Sequence, residues 1–496
     1  MNNTISHKIE KASRWVCLFL FLLSSGEVAW GNVWKFDDKT RQAYDLVLNL
    51  QIDEALALMG EPATAQETYV VSLAQALELI LTEDADKYET YYAEYESRLG
   101  KRSKSSLEDD LFLQAEIRLQ WAFVHIKFGH EIDAAWNLRQ SYLNVQDCKN
   151  RFPSFTPIRK TSGVLEILIG SVPEKYNWVL GLMGMQGSIP TGLEELQSLR
   201  EEGNVFKREA DLLYAIVKGY VFQNTTGAVK EIKNIQTRHP DNVLINFIAA
   251  SLLIKNSQSE DALPLLIKLE ERNKGLPLTF GYYLKGEVYL HKAEYLSSIT
   301  SFRWFINNYK GQNCIKDAWY KIGLCYWLNG NGNDAREIFK QAKTIGKEDA
   351  EADKYAARCL ADSELPNIPL SKARYYTDGG YYDLARQELE VIQADDLPTK
   401  RDQVEYAYRR ARLAQKTMNF EQAKSFYRET IALNGNESWY FAPNSCLQMG
   451  YLALSESDTT AARNYFQQAR SYPRHEYKNS IDSKAKTALA QLRSDR

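Results

Sequence analysis

Between Trp319 and Ala342 the apolar and small residues Trp319, Ile322, Gly323, Tyr326, Ala335, Phe339 and Ala342 recur at the spacing of one face of a helix. Asn329-Gly330-Asn331-Gly332-Asn333-Asp334 interrupts them, and Asn-Gly supplies the positive backbone dihedrals of a chain reversal rather than a calcium loop. The pattern predicts two antiparallel helices, with Gly323 meeting Ala335 where the backbones approach and Trp319, Tyr326 and Phe339 adding aromatic bulk. Aligning the chain on such paired small positions finds Ile216 with Ala228, Ala250 with Ala262, Gly286 with Ser298, Gly323 with Ala335, Ala373 with Ala385, Ala411 with Ala423, and Gly450 with Ala462. Successive first members lie 34, 36, 37, 50, 38 and 39 residues apart. The long step holds Lys347 to Leu365, which reads as an extra helix ending before Pro366 and Pro369. Leu180 with Gly192 adds a degenerate copy, so the regular run starts near residue 174.

This register resembles the tetratricopeptide repeat, whose period is about 34 residues. The resemblance implies an all-α fold, a right-handed superhelical solenoid of antiparallel helix pairs, because one hairpin cannot bury its apolar face without a stacked neighbour. On such a solenoid the first helix of each repeat lines the concave side. The residues placed there to bind a partner are Tyr220, Phe247, Tyr283, Glu287, Tyr320, Trp327, Arg374, Tyr408 and Arg412, aromatic anchors beside selective charge that suit an extended peptide or a partner helix. The same apolar positions also serve to pack neighbouring repeats. The inward Lys and Asn of a chaperone-tail groove are not found.

The first residues carry a different signal. His7, Lys8, Lys11 and Arg14 precede the apolar run Trp15 to Leu23, and Ala29-Trp30-Gly31 offers small residues for cleavage. The run is about half the length that spans a bilayer, and Cys17 sits inside it, not after it as a lipid-anchor cysteine would. The expected organisation is a signal peptide at 1–31, divergent helical repeats at 32–157, and a solenoid at 158–496 with a C-terminal capping helix. Phe152-Pro153-Ser154-Phe155-Thr156-Pro157 marks the break between the last two. Within the divergent part, Ala43 pairs with Ala55 and Ala122 with Ala134 or Ala135, while Tyr69 to Leu81 and Ala85 to Leu99 read as one more hairpin carrying Tyr88, Tyr91, Tyr92 and Tyr95. No integral membrane segment is expected after signal cleavage.

Composition is that of an ordered globular chain, with 44% hydrophobic and 25% charged residues. Removing 1–31 moves the formal net charge from −3 to −4, and this near-neutral balance argues against nucleic acid as a partner. Five cysteines remain, Cys148, Cys314, Cys325, Cys359 and Cys446, an odd number with no Cys-x-x-Cys pair.

A wider resemblance comes from Gly163-Val164-Leu165, Ile169-Gly170-Ser171-Val172-Pro173, Leu180-Gly181-Leu182-Met183-Gly184-Met185-Gln186-Gly187 and Thr191-Gly192-Leu193-Glu194-Glu195-Leu196, with Trp439-Tyr440-Phe441-Ala442-Pro443 and the stretch from Tyr477-Lys478 to Leu492. Together these resemble the tetratricopeptide repeat protein 39 family, which includes the inclusion body clearance proteins, over about residues 160–495. The resemblance implies a helical adaptor without catalytic residues. Its members are intracellular, whereas this chain carries an export signal, so a fold shared with them does not bring their role. Ser298 to Ala342 is also similar to the repeats of periplasmic scaffold proteins that assist outer-membrane protein assembly.

No catalytic motif was found: Gly-x-Ser-x-Gly, Gly-x-x-x-x-Gly-Lys and His-Glu-x-x-His are all missing from the sequence. His125, His130, His239, His291 and His475 fall in separate repeats, so no metal site and no cofactor are expected. The expectation is an exported, non-enzymatic scaffold for a protein or peptide partner in a bacterial periplasm or envelope. The alternative is an exported binder of small ligands such as glycans.

Overall fold

The computed structural model describes residues 34–494, apart from 103–104, 106, 173–176, 202–203 and 363. The signal peptide expected at 1–31 lies outside the described residues. Among those described there are twenty-five α-helices and no strand, in line with the all-α expectation. The divergent part holds α1 (Asp38–Leu48), α2 (Ile52–Met59), α3 (Ala65–Thr82), α4 (Ala85–Arg102), α5 (Glu108–Lys127) and α6 (Glu131–Arg151). Then come α7 (Ile158–Gly170), the short α8 (Asn177–Leu182) and α9 (Ile189–Glu201). Seven hairpins follow: α10 (Lys207–Tyr220) with α11 (Thr225–Arg238), α12 (Val243–Lys255) with α13 (Ser259–Glu270), and α14 (Thr279–His291) with α15 (Tyr295–Asn308). The fourth pairs α16 (Ile315–Leu328) with α17 (Gly332–Thr344). After the inserted helix α18 (Glu351–Ala361) come α19 (Ile368–Gly379) with α20 (Tyr382–Glu390). The series ends with α21 (Lys400–Lys416) and α22 (Phe420–Asn434), α23 (Phe441–Ser455) and α24 (Thr459–Ser471), and the cap α25 (Lys478–Ser494).

The paired positions read from the sequence are the hairpin interiors. All seven second members, from Ala228 to Ala462, are 0% exposed. Gly323 also makes room for an aromatic ring, because a Cβ there would meet the Phe339 ring at 2.7 Å and Ile338 at 3.3 Å. The ring lies sixteen positions after the glycine. Gly286 with Phe302 and Gly450 with Phe466 repeat the arrangement, and where the first position is Ala250 or Ala373 its counterpart is Leu266 or Leu389. Small opposite large keeps each interior at native packing density.

A third register position turns the chain. Seven residues after each first member stands a left-handed residue: Gln223, Ser257, Ala293, Gly330, Gly380, Met418 and Ser457. In six of the seven hairpins the next N–H closes the helix by bonding five residues back, as Asn331 does to the Tyr326 carbonyl at 2.9 Å. Leu50 and Gly129 stand at the same distance after Ala43 and Ala122, so α1–α2 and α5–α6 are built on one plan with the later repeats.

Two readings are corrected. Gly192 crosses Gly163 rather than Leu180: a Cβ on Gly163 would lie 2.9 Å from the Gly192 carbonyl, so α7 is the partner of α9 and α8 loops out between them. Residues 65–82 and 85–102 do not form a mutual hairpin, since α3 packs chiefly against α5. The expected insertion is α18, and Asn367 caps α19 by accepting from the Leu370 N–H at 3.2 Å, with Pro369 in the first turn.

The N-terminal helices rest on the rim where the first helices of the repeats begin. The Leu276 N–H donates to the Leu50 carbonyl at 2.7 Å, and the Tyr309 hydroxyl to Glu83 at 2.6 Å. Deeper in this interface Lys160 reaches Glu116, Glu209 and the Tyr69 hydroxyl at 2.6 Å each, and Tyr44 donates to Glu209 at 3.0 Å. Lys160, Glu116 and Glu209 are 0% exposed, and burial pushes the Glu209 pKa up. Five helices, α1, α3, α5, α7 and α10, thus meet in one ion network.

The insertion lets the solenoid fold inward. A Cβ on Gly379 of α19 would lie 2.6 Å from His291 of α14, the Tyr381 hydroxyl donates to Glu260 at 2.8 Å, and the His291 and Tyr375 rings stack at 6.2 Å. The fifth hairpin therefore docks on the turns of the second and third. At the far end the Ser483 hydroxyl of α25 donates to the Ser171 carbonyl at 3.0 Å, and Lys486 donates to the carbonyl of Val172. The cap returns to the start of the repeat run, so the two ends of the superhelix meet around its concave side, termed the channel.

Candidate functional site

Relative to each first register residue, the positions one and five further on lie one helical turn apart on the same face, where Val217, Leu324 and Leu328 are at most 4% exposed and pack in the core while the polar residues border this channel. In chain order they hold Val217 and Val221, Ser251 and Lys255, Glu287 and His291, Leu324 and Leu328, Arg374 and Asp378, Arg412 and Lys416, and Tyr451 and Ser455. The hairpin interior repeats its chemistry; this face does not.

The nine residues expected to bind a partner divide here. Phe247, Tyr283, Tyr320 and Tyr408 are between 3% and 6% exposed and pack in the core. Tyr220, Glu287, Trp327, Arg374 and Arg412 keep partial solvent access. Tyr220 shares a 2.6 Å hydrogen bond with Ser251 and lies under the Lys255 ammonium, 4.7 Å from the ring centroid. Glu287 pairs with Lys321 at 2.5 Å, and Lys321 also reaches Asp317 at 2.7 Å and the Tyr283 hydroxyl at 2.9 Å. The Trp327 indole N–H donates to the Pro366 carbonyl at 2.8 Å, tying the fourth hairpin to the insertion. Arg374 donates to the Tyr355 hydroxyl at 2.5 Å and faces Asp378 at 3.7 Å, and Arg412 donates to Gln415 at 3.1 Å and Gln448 at 3.2 Å.

Sequence reasoning missed Lys255, Lys416 and Lys484. The signal was present, since Lys255 and Lys416 follow Ser251 and Arg412 by one turn. All three ammonium groups keep partial solvent access while protein surrounds them. Desolvation pushes Lys255 down to about 7, with repulsion from Lys484 and Lys416 adding to it. Lys416 and Lys484 are each lowered to about 8, by desolvation first and then by Arg412, with Asp378 opposing the shift of Lys416. No carboxylate pairs with Lys255 or Lys416 within 4.0 Å among the described residues. Like charge from α21 and α25 thus acts on Lys255 of α12.

The histidines are not as scattered as the sequence suggests. Tyr88 bridges them, its hydroxyl lying 3.0 Å from Nδ1 of His125 and 2.6 Å from Nδ1 of His130. With Asp133 they bring possible ligand atoms within 4.8 Å of one another, a grouping that could hold a metal ion. His125 is buried, which pushes its pKa down to about 4, and the tyrosine occupies one nitrogen of each ring. The five described cysteines are unbridged. No helix among the described residues is long and apolar enough to cross a membrane.

The tetratricopeptide repeat family pattern matches residues 316–346, the fourth hairpin. A comparison with curated proteins finds no match. Among solved structures the chain is similar to a human IFIT1 dimer with m7Gppp-AAAA, at 12% identity over 88% of this chain and 95% of that one, TM-score 0.33. It is also similar to a Rap protein complexed with competence and sporulation factor, at 13% over 80% and 96%, TM-score 0.34. A third is the APC/C hetero-tetramer Cut9–Hcn1, at 14% over 92% and 84%, TM-score 0.27.

Proposed function

We propose that this chain is an exported, non-enzymatic helical-repeat scaffold of a bacterial periplasm or envelope that holds a polypeptide segment of a partner in its interior channel. The observation that carries the reading is the contrast on the first helices. Their packed face is uniform, while the channel face varies from apolar pairs in the first and fourth hairpins to polar or charged side chains in the others, among them Lys255, Glu287, Arg374, Asp378, Arg412 and Lys416. A row of unlike residues on a repeated frame reads an extended chain one position at a time. The mixture of Glu287 and Asp378 with the cations disfavours a uniformly anionic polymer such as nucleic acid.

Export rests on the basic residues and apolar run of 1–31, and kinship to the tetratricopeptide repeat protein 39 family on the motifs within residues 163–196, among whose described residues Gly163 of α7 crosses Gly192 of α9. The scaffold reading is tested by placing a photo-reactive amino acid at Glu287, inside, or at Glu429, on the outer helix α22, in the cell. Adducts from position 287 and none from 429 are expected; adducts from 429 alone overturn the reading.

A further inference from the structure

Of the hairpins built on the common register, α5–α6 alone carries imidazole on its turn. Three positions after the first register residue the others hold Gly, Ala, Leu or Tyr, where α5 holds His125, 1% exposed. At plus eight, where they hold Asn, Gln, Asp, Glu or Tyr, stands His130. The turn itself brings the two together: Gly129 holds a φ of 79°, the His130 N–H donates to the His125 carbonyl at 2.7 Å, and the ring centroids lie 6.0 Å apart. Asp133 follows in the first turn of α6. One nitrogen from each ring and one Asp133 carboxylate oxygen lie within 4.8 Å of one another.

Bonds of about 2.0–2.2 Å from nitrogen and carboxylate oxygen to zinc put the ligand atoms of a tetrahedral ion about 3.3–3.6 Å apart. Closing to that spacing falls to His130 and Asp133, whose side chains are exposed, while His125 is held in the core. The Tyr88 hydroxyl of α4, in contact with Nδ1 of both rings, fixes how they face each other, and Trp121 and Phe128 wall the inner side, 5.6 Å from the His125 ring and 4.6 Å from the Tyr88 ring. Two imidazoles with one carboxylate are the donors of zinc and its neighbours in the first transition row, whereas magnesium and calcium take oxygen alone.

We propose that His125, His130 and Asp133 bind one divalent transition-metal ion of the zinc class at the α5–α6 turn, an oxygen of the Tyr88 phenol or of water completing its coordination. The ion ties the end of α5 to the start of α6 and, through Tyr88, to α4. Two residues beyond His125 the Lys127 carbonyl accepts from the Asn313 amide at 3.0 Å, just ahead of α16. The metal therefore stiffens a corner at which the divergent helices carry the fourth hairpin, a role independent of what the channel holds.

The test strips the untagged full chain, without its signal segment, of metal with a chelator and titrates it with zinc chloride and with magnesium chloride. Zinc binds one per chain and raises the melting temperature, and magnesium does neither. His130→Gln and Asp133→Asn alter exposed side chains, so each variant melts as the native chain does in the absence of zinc. Each weakens zinc binding at least about tenfold, and zinc no longer raises the melting temperature of His130→Gln. His239→Gln, which changes a histidine outside the site, leaves zinc binding as it is. A native chain that binds no zinc, zinc binding unmoved in either site variant, or magnesium binding as tightly as zinc overturns the proposal. So does a loss in His239→Gln as large as that in His130→Gln, which places the ion elsewhere.

Discussion

The two faces of each first helix make the instructive comparison. Toward its own hairpin the helix obeys one rule seven times: a left-handed residue at plus seven, a small buried residue at plus twelve and, opposite the smallest first members, the largest ring at plus sixteen. Toward the channel it obeys none, holding Val217, Ser251, Glu287, Leu324, Arg374, Arg412 and Tyr451 at equivalent places. Packing fixes the first face because any misfit costs energy in every repeat. The second is free to differ, and difference is what selection of a partner requires.

The largest effect should come from a charge on the packed side. Lys160→Met leaves Glu116 and Glu209 without their cation in a fully buried site, and should cost about 3–5 kcal/mol in urea unfolding. Lys416→Gln, removing the same charge type from the channel, should cost nothing.

Gly323→Ala drives a methyl into the Phe339 ring and should cost about 1–3 kcal/mol. Adding Phe339→Leu recreates the pairing of Ala250 with Leu266, so the double variant should be more stable than the sum of the single losses. A strictly additive cycle would separate the two positions.

The pH profile offers a third break. The folded His125 pKa, about 4, lies below its ordinary 6.5, so between these values the unfolded chain binds the extra proton. Stability is full above pH 6.5 and falls as the pH drops toward 4, by about 2 kcal/mol at pH 5. His125→Gln should flatten that part of the profile, measured by urea midpoints across the range.

The smallest effect concerns the turns. Ala293 and Met418 hold φ of 60° where Gly330 and Gly380 stand in other hairpins. Ala293→Gly relieves that strain and gives back part of the gain through unfolded-chain entropy, for a net stabilisation of about 0.5 kcal/mol in the melting curve. The equivalent change at Ala335, a helical position, should destabilise instead.

Periodicity made the hairpins legible, since Gly323, Ala335 and Phe339 are set by contacts within one repeat. The plus-seven turn is legible where it is glycine, at Gly330 and Gly380, whereas Ala293 or Met418 gives no sign of a left-handed backbone. The Lys160 network was hidden, as its partners Glu116 and Glu209 lie 44 and 49 positions away on other helices. Pairing Leu180 with Gly192 failed because α8 is an excursion and the true crossing skips it to Gly163. The channel was missed for a longer-range reason: Ser483 meets Ser171 across 312 residues, and no local pattern encodes such a return. That is why Tyr283 and Tyr320 read as groove residues although they pack inside, while Lys255 and Lys484 went unnoticed.

Everything said of the channel depends on closure by the capping helix. Ser171→Cys with Ser483→Cys places two thiols where a side chain of α25 already touches the Ser171 carbonyl. Mild oxidation of the dilute monomer, followed by peptide mapping, should give an intramolecular 171–483 disulfide in most of the protein without loss of melting temperature. A chain in which this bond fails to form, or forms only between molecules, would have an open superhelix and no interior channel.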